Sequence, residues 1–86
     1  MKVQFKYHEK NKDLYAFFPN EVFDIQGNKM AYSHIGQHSS CSVSYALESR
    51  MATISEYASL LNELKEIGYN NLIVEKGEFS LTTKPN

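Results

Sequence analysis

The sequence predicts an α+β domain: a mainly antiparallel sheet of four or five strands carrying one amphipathic helix on one face, in the order ββββαβ. Three observations carry that prediction. Residues 53–69, TISEYASLLNELKEIGY, read as a helix with both ends marked. Residues 3–8 and 14–18 read as two strands of a hairpin across the polar turn EKNKD. Residues 72–75, LIVE, are short and β-branched directly after the helix and read as a further strand.

In the first strand Val3, Phe5 and Tyr7 alternate with Lys2, Gln4, Lys6 and His8, the period of two expected where one face is buried and one is wet. LYAFFP then restores an apolar, aromatic run, which Pro19 is expected to end. Residues 21–26 suit a short extended piece, and Gly27-Asn28 is a compact turn signal because both residues tolerate positive φ. Residues 30–35 read as a third strand, with Met30, Tyr32 and His34 on one face and Ala31, Ser33 and Ile35 on the other. The run GQHSSCS, residues 36–42, reads as a loop, and Val43, Tyr45 and Leu47 alternate with small residues as a fourth strand.

Thr53 and Glu56 have the spacing of a capping box. Gly68 can take the left-handed conformation that closes a helix, with Tyr69 placed to pack back on Leu64. Ile54, Tyr57, Ala58, Leu60, Leu61 and Leu64 form the apolar stripe, opposite Ser55, Ser59, Asn62 and Glu66. A crossover from this helix to a parallel strand should be right-handed. The tail, residues 77–86, can add an edge strand through Phe79 and Leu81 or fray, and fraying is the favoured reading.

The 86 residues make one domain, 1–86, with room for one core. A hydrophobic fraction of 42% places it with folded globules rather than disordered chains. Nine basic against ten acidic residues give a net charge of −1, which supplies no attraction to polyanions or anionic membranes. A lone cysteine, Cys41, excludes an internal disulfide and suits a reducing compartment. The amino end alternates apolar and charged residues and no later stretch approaches a membrane span, so a cytoplasmic protein without membrane association is expected.

No sequence pattern announces an enzyme: GxGxxG, P-loop and nucleophile-elbow patterns are absent, and neither cofactor nor metal is expected. The densest group of reactive side chains is His34, Gln37, His38 and Cys41, the candidate polar site. His34, His38 and Cys41 offer nitrogen and sulfur ligands for a metal, or a histidine-activated thiol, but their spacing is that of no established pattern. Lys2, Lys6, Lys10 and Lys12 interleaved with Tyr7 and Tyr15 give the first hairpin a basic, aromatic character suited to nucleic acid. Glu9 and Asp13 in the same hairpin, and the absence of a second basic element, count against that alternative.

The aromatics point elsewhere. Eight tyrosines and phenylalanines between Phe5 and Tyr45 exceed what one sheet-and-helix core easily buries, so some are expected on the open sheet face. Exposed tyrosines commonly become protein interfaces. Tyr7, Tyr15, Tyr32 and Tyr45 are the candidate interface, and a binding module that forms a homodimer or docks a protein partner through a sheet face or edge is the favoured function.

The segment from Gly27-Asn28 through Tyr32-Ser33-His34-Ile35-Gly36-Gln37-His38-Ser39, followed by Ala52-Thr53, Glu56-Tyr57, Leu60-Leu61, Glu63-Leu64 and Gly68-Tyr69, resembles a group of small bacterial and phage-associated proteins with no assigned activity. The resemblance implies a small free-standing bacterial protein and points to a mobile element. It brings no ligand and gives no role to His34, Gln37 or His38.

Overall fold

A computed structural model describes residues 1–33 and 37–75. The chain runs β1 (Lys2–His8), β2 (Asp13–Val22), β3 (Lys29–Ser33), β4 (Gln37–Cys41), α1 (Val43–Glu48), β5 (Arg50–Met51), α2 (Ile54–Glu66) and β6 (Ile73–Val74). The sheet order is β4-β3-β2-β1-β5, with β6 also on β1. β1 to β4 form an antiparallel meander. Along the far side of β1, β5 pairs antiparallel at Lys6 and Tyr7, and β6 pairs parallel at Lys2 and Val3. The expected α+β architecture is therefore present, with the sheet extended by the two-residue strands β5 and β6.

α2 forms for the reasons legible in its sequence. Thr53 Oγ1 accepts from the Glu56 amide, and Glu56 Oε1 accepts from the Thr53 amide at 2.8 Å, so two otherwise orphaned donors are satisfied. At the other end Tyr69 N donates to Leu64 O and Gly68 N to Lys65 O, the paired bonds of a Schellman motif, with Gly68 at φ +119°. The buried stripe is narrower than predicted: Tyr57, Leu60 and Leu64 are buried, whereas Ile54 is 64% exposed and Ala58 faces solvent. These three pack on Val3, Phe5, Ala16, Phe18 and Tyr32, every second residue of three adjacent strands.

Three expectations are corrected. Val43–Glu48 is a helix, not a strand: Ser42 caps it by accepting from the Tyr45 amide at 3.1 Å, and six residues are too few for helical periodicity to show. The polar run before it is strand β4, an edge strand whose backbone ladder on β3 needs no apolar pattern. Pro19 does not end β2. It sits in the irregular stretch between Phe18 and Val22, where the pairing with β3 shifts register, as suits a residue without an amide donor. The predicted fraying of 77–86 falls outside the described residues.

Candidate functional site

The reverse sheet face, away from α2, is where the sequence predicted open tyrosines. It is not open. Gln4, Lys6, His8, Tyr15, Phe17, Ala31 and Cys41 are all buried, and α1 supplies Ala46 and Tyr45 to a second core there. Polar groups make up much of this face, and they are connected. Ser49 Oγ donates to the Tyr45 carbonyl at 2.9 Å, so it accepts from the Tyr15 hydroxyl at 2.7 Å, while the wholly buried Lys6 donates to the Ser49 carbonyl at 3.4 Å. The Tyr45 ring lies flat on His8, with centroids 4.3 Å apart and planes at 1°. Its hydroxyl donates to Asp13 Oδ2 at 2.9 Å and accepts from Asn11 Nδ2 at 3.2 Å. His8 Nδ1 accepts the Asn11 amide at 3.3 Å, which assigns the ring proton to Nε2, 3.3 Å from Glu48 Oε1.

Burial governs the ionisable groups. It raises the Tyr15 phenol well above its ordinary range and pushes the Cys41 thiol up to about 11. Cys41 is therefore a thiol rather than a thiolate at neutral pH, and its Sγ donates weakly to the Ser42 carbonyl at 3.4 Å. Beside this core lies a cleft of about 300 Å³ bordered by Asp13, Tyr15, Ser33, Ser39 and Tyr45, with Ala31 and Cys41 also lining it. Asp13, Ser33 and Ser39 were not singled out from the sequence. Their grouping becomes legible once residues 37–41 are known to be a strand, because Ser39 then pairs with Ala31, and Cys41 and Ser33 follow two residues along on the same face.

Two residues of the candidate polar site, His38 and Cys41, are not brought together. His38 pairs with Tyr32 on the α2 side, where its Nε2 lies 2.7 Å from the Tyr69 hydroxyl, whereas Cys41 lies in the second core on the opposite face. Three residues apart on a strand means opposite sides. His34 and the Gln37 side chain fall outside the described residues. Among the described residues no cluster of histidine, cysteine and carboxylate groups suits a metal ion.

Of the candidate interface tyrosines, two are interior and two, Tyr7 and Tyr45, are half-buried. Tyr15 and Tyr32 are buried, and Tyr32 donates to Glu63 of α2. Tyr45 is held by His8 and Asp13 as above, and Tyr7 lies under the Arg50 guanidinium, 4.7 Å from ring centroid to Cζ. Much of the aromatic surplus is absorbed because the sheet is covered on both faces rather than one, while Phe23 stays 46% exposed. The basic hairpin face is interrupted in the same way. Lys6 is interior, Lys2 is 3.5 Å from Glu75, and Tyr15 presents no ring for stacking. The single arginine is also committed: Arg50 binds Glu56 through two nitrogens at 2.8 and 2.9 Å and Glu9 at 2.9 Å, which raises its pKa.

The outer edge of β4 is different. Among the described residues β4 pairs with β3 alone, and His38, Ser39 and Ser40 are exposed. QHSSC contains no lysine, proline or formal charge, the devices by which edge strands usually deter pairing. At the opposite side of the sheet, two short strands cover β1.

No family model, curated protein or solved structure matches the chain. Among the described residues no helix is long and apolar enough to cross a membrane.

Proposed function

We propose that the protein is an interaction module that lengthens its sheet by adding a strand at the outer edge of β4, with a second copy of the chain as the partner. The supporting observation is the unprotected edge itself: a five-residue strand with no formal charge, with His38, Ser39 and Ser40 exposed, and with one unpaired side among the described residues. Antiparallel pairing centred on Ser39 sets small serines opposite one another and brings no like charges together. The sheet faces offer less, because Tyr15 and Tyr32 are interior. A reducing, cytoplasmic setting is part of this reading, with Cys41 remaining a free buried thiol.

Each inter-strand hydrogen bond contributes about 0.5–1.5 kcal/mol net, so a strand this short supports a transient dimer rather than an obligate one. Sedimentation velocity over a wide concentration range tests the proposal. The expected result is a concentration-dependent monomer–dimer equilibrium that Ser40→Lys abolishes, because it places two like charges at the new seam. A strict monomer up to roughly millimolar concentration, near the weakest association such a pairing would give, overturns it. So does a dimer indifferent to Ser40→Lys and His38→Asp.

A further inference from the structure

We propose that the cleft between α1 and the β3–β4 edge binds a small, uncharged polyhydroxyl ligand of the monosaccharide class. The cleft exists because small side chains stand beside large ones. Ala31, Ser33, Ser39 and Cys41 occupy one face of two adjacent strands, while Tyr15 and Tyr45 rise next to them, leaving about 300 Å³. That is the liquid volume of roughly ten waters, enough for a ligand of about a dozen heavy atoms.

The lining chemistry selects among small ligands. Among the described residues the hydroxyls of Ser33 and Ser39 have no hydrogen-bond partner, and Asp13 spends only Oδ2, on the Tyr45 hydroxyl. A serine hydroxyl both donates and accepts, and a carboxylate oxygen accepts, so the cleft complements a molecule whose own groups do both. No lysine or arginine lines it. The ionised group lining it is the Asp13 carboxylate, which repels phosphates and carboxylates, and Lys6 behind Cys41 is wholly buried and bonded to the Ser49 carbonyl rather than presented to a ligand. Cys41 adds no second negative charge, since its thiol remains protonated. Ala31 and the thiol provide the small apolar floor that the C–H face of a sugar requires. The cleft shares Ser39 and Cys41 with the edge strand, but Asp13 and Ser33 lie on β2 and β3, so shifts at Ser33 and the effect of Asp13→Asn report the cleft rather than edge pairing.

The test is an amide chemical-shift titration of the full chain with D-glucose, D-galactose and D-mannose, run beside sodium phosphate and 1,4-diaminobutane. At least one sugar is expected to give saturable shifts at Ser33, Ser39, Cys41 and Tyr45, with the millimolar affinity proper to so small a ligand. Asp13→Asn keeps an acceptor for Tyr45 but removes the charge, and Ser33→Val fills the cleft. Each should weaken binding about tenfold or more, with far-ultraviolet circular dichroism unchanged. The proposal is overturned if no sugar moves these amides at roughly a hundred times millimolar affinity. It is equally overturned if only the diamine or phosphate moves them, or if neither variant alters the response.

Discussion

The two faces of this sheet are closed by different chemistry. On the α2 side a helix of 13 residues, fixed at both ends, lays Tyr57, Leu60 and Leu64 onto an almost wholly apolar surface, with Tyr57 stacked on Phe5 at 4.4 Å. On the α1 side a helix of six residues covers a face that includes Lys6 and His8, and its C-cap Ser49 bonds to Lys6 and Tyr15 of the strands beneath. A helix that short cannot present a full apolar stripe, so its docking depends on hydrogen bonds and ring stacking. Apolar burial tolerates small misfits, whereas a buried polar group left without a partner is costly. The polar face carries such a cost, since Gln4 Oε1 is buried with no partner among the described residues. It also carries a cleft of about 300 Å³, against one of about 160 Å³ beside Phe5 and Tyr57 on the α2 side. A surface built from discrete bonds leaves gaps that close-packed side chains would have filled.

The comparison can be broken most directly on the apolar side. Leu60→Ala removes the centre of the α2 stripe and should cost about 2–5 kcal/mol in urea unfolding, through lost transfer energy and the cavity left behind. A loss below about 1 kcal/mol, the scale of an ordinary surface change, would mean that α2 does not clamp the sheet. On the polar side Tyr15→Phe deletes one hydroxyl and leaves Ser49 Oγ without its donor, so a smaller loss of about 1–3 kcal/mol is expected. A double-mutant cycle with Ser49→Ala sharpens this, because the two losses should fall short of additivity if the bond couples them.

The smallest effect concerns the surface link between β5 and α2. Hydrogen bonding to Arg50 and to the Thr53 amide lowers the Glu56 carboxyl to about 2. A depressed carboxyl contributes stability that is present above its unfolded value near 4.5 and is lost as pH falls through the folded value. The pair is exposed to solvent, so the contribution is modest and screened by salt. Melting temperature measured from pH 6 to pH 2 should therefore decline less steeply in Glu56→Gln, which keeps a capping acceptor but loses the charge. Identical acid slopes for both proteins would deny the link any role.

The residues explain which features were legible. α2 was readable in detail because its signals are local: Thr53 and Glu56 are three residues apart, and Gly68 and Tyr69 close bonds to Lys65 and Leu64. The first hairpin was readable because Val3, Phe5 and Tyr7 repeat at every second position, although the polar residues between them, read as wet, are buried as well. α1 was not readable. Over six residues, VSYALE fits an alternating pattern as well as a helical one, and its true signal was the cap at Ser42. β4 was hidden because an exposed edge strand can be built from any residue whose backbone completes a ladder. The grouping of His38 with Cys41 failed for the same reason. Treated as a loop, residues 36–42 could bring His38 and Cys41 together, but within the strand Gln37–Cys41 the two must diverge.

By itself, the sequence determined the α+β class, the capped helix and the hairpin it rests on, because caps, turns and amphipathic periods are set by neighbours a few residues apart. Only the tertiary structure decided that the reverse face is closed, that Lys6 and Tyr15 are interior and that a hydroxyl-lined cleft stands beside Asp13. Those outcomes depend on which distant segments meet: Ser49 reaches Tyr15 across 34 positions of chain, and Lys6 across 43. No local pattern encodes a bond whose two ends are joined by packing alone.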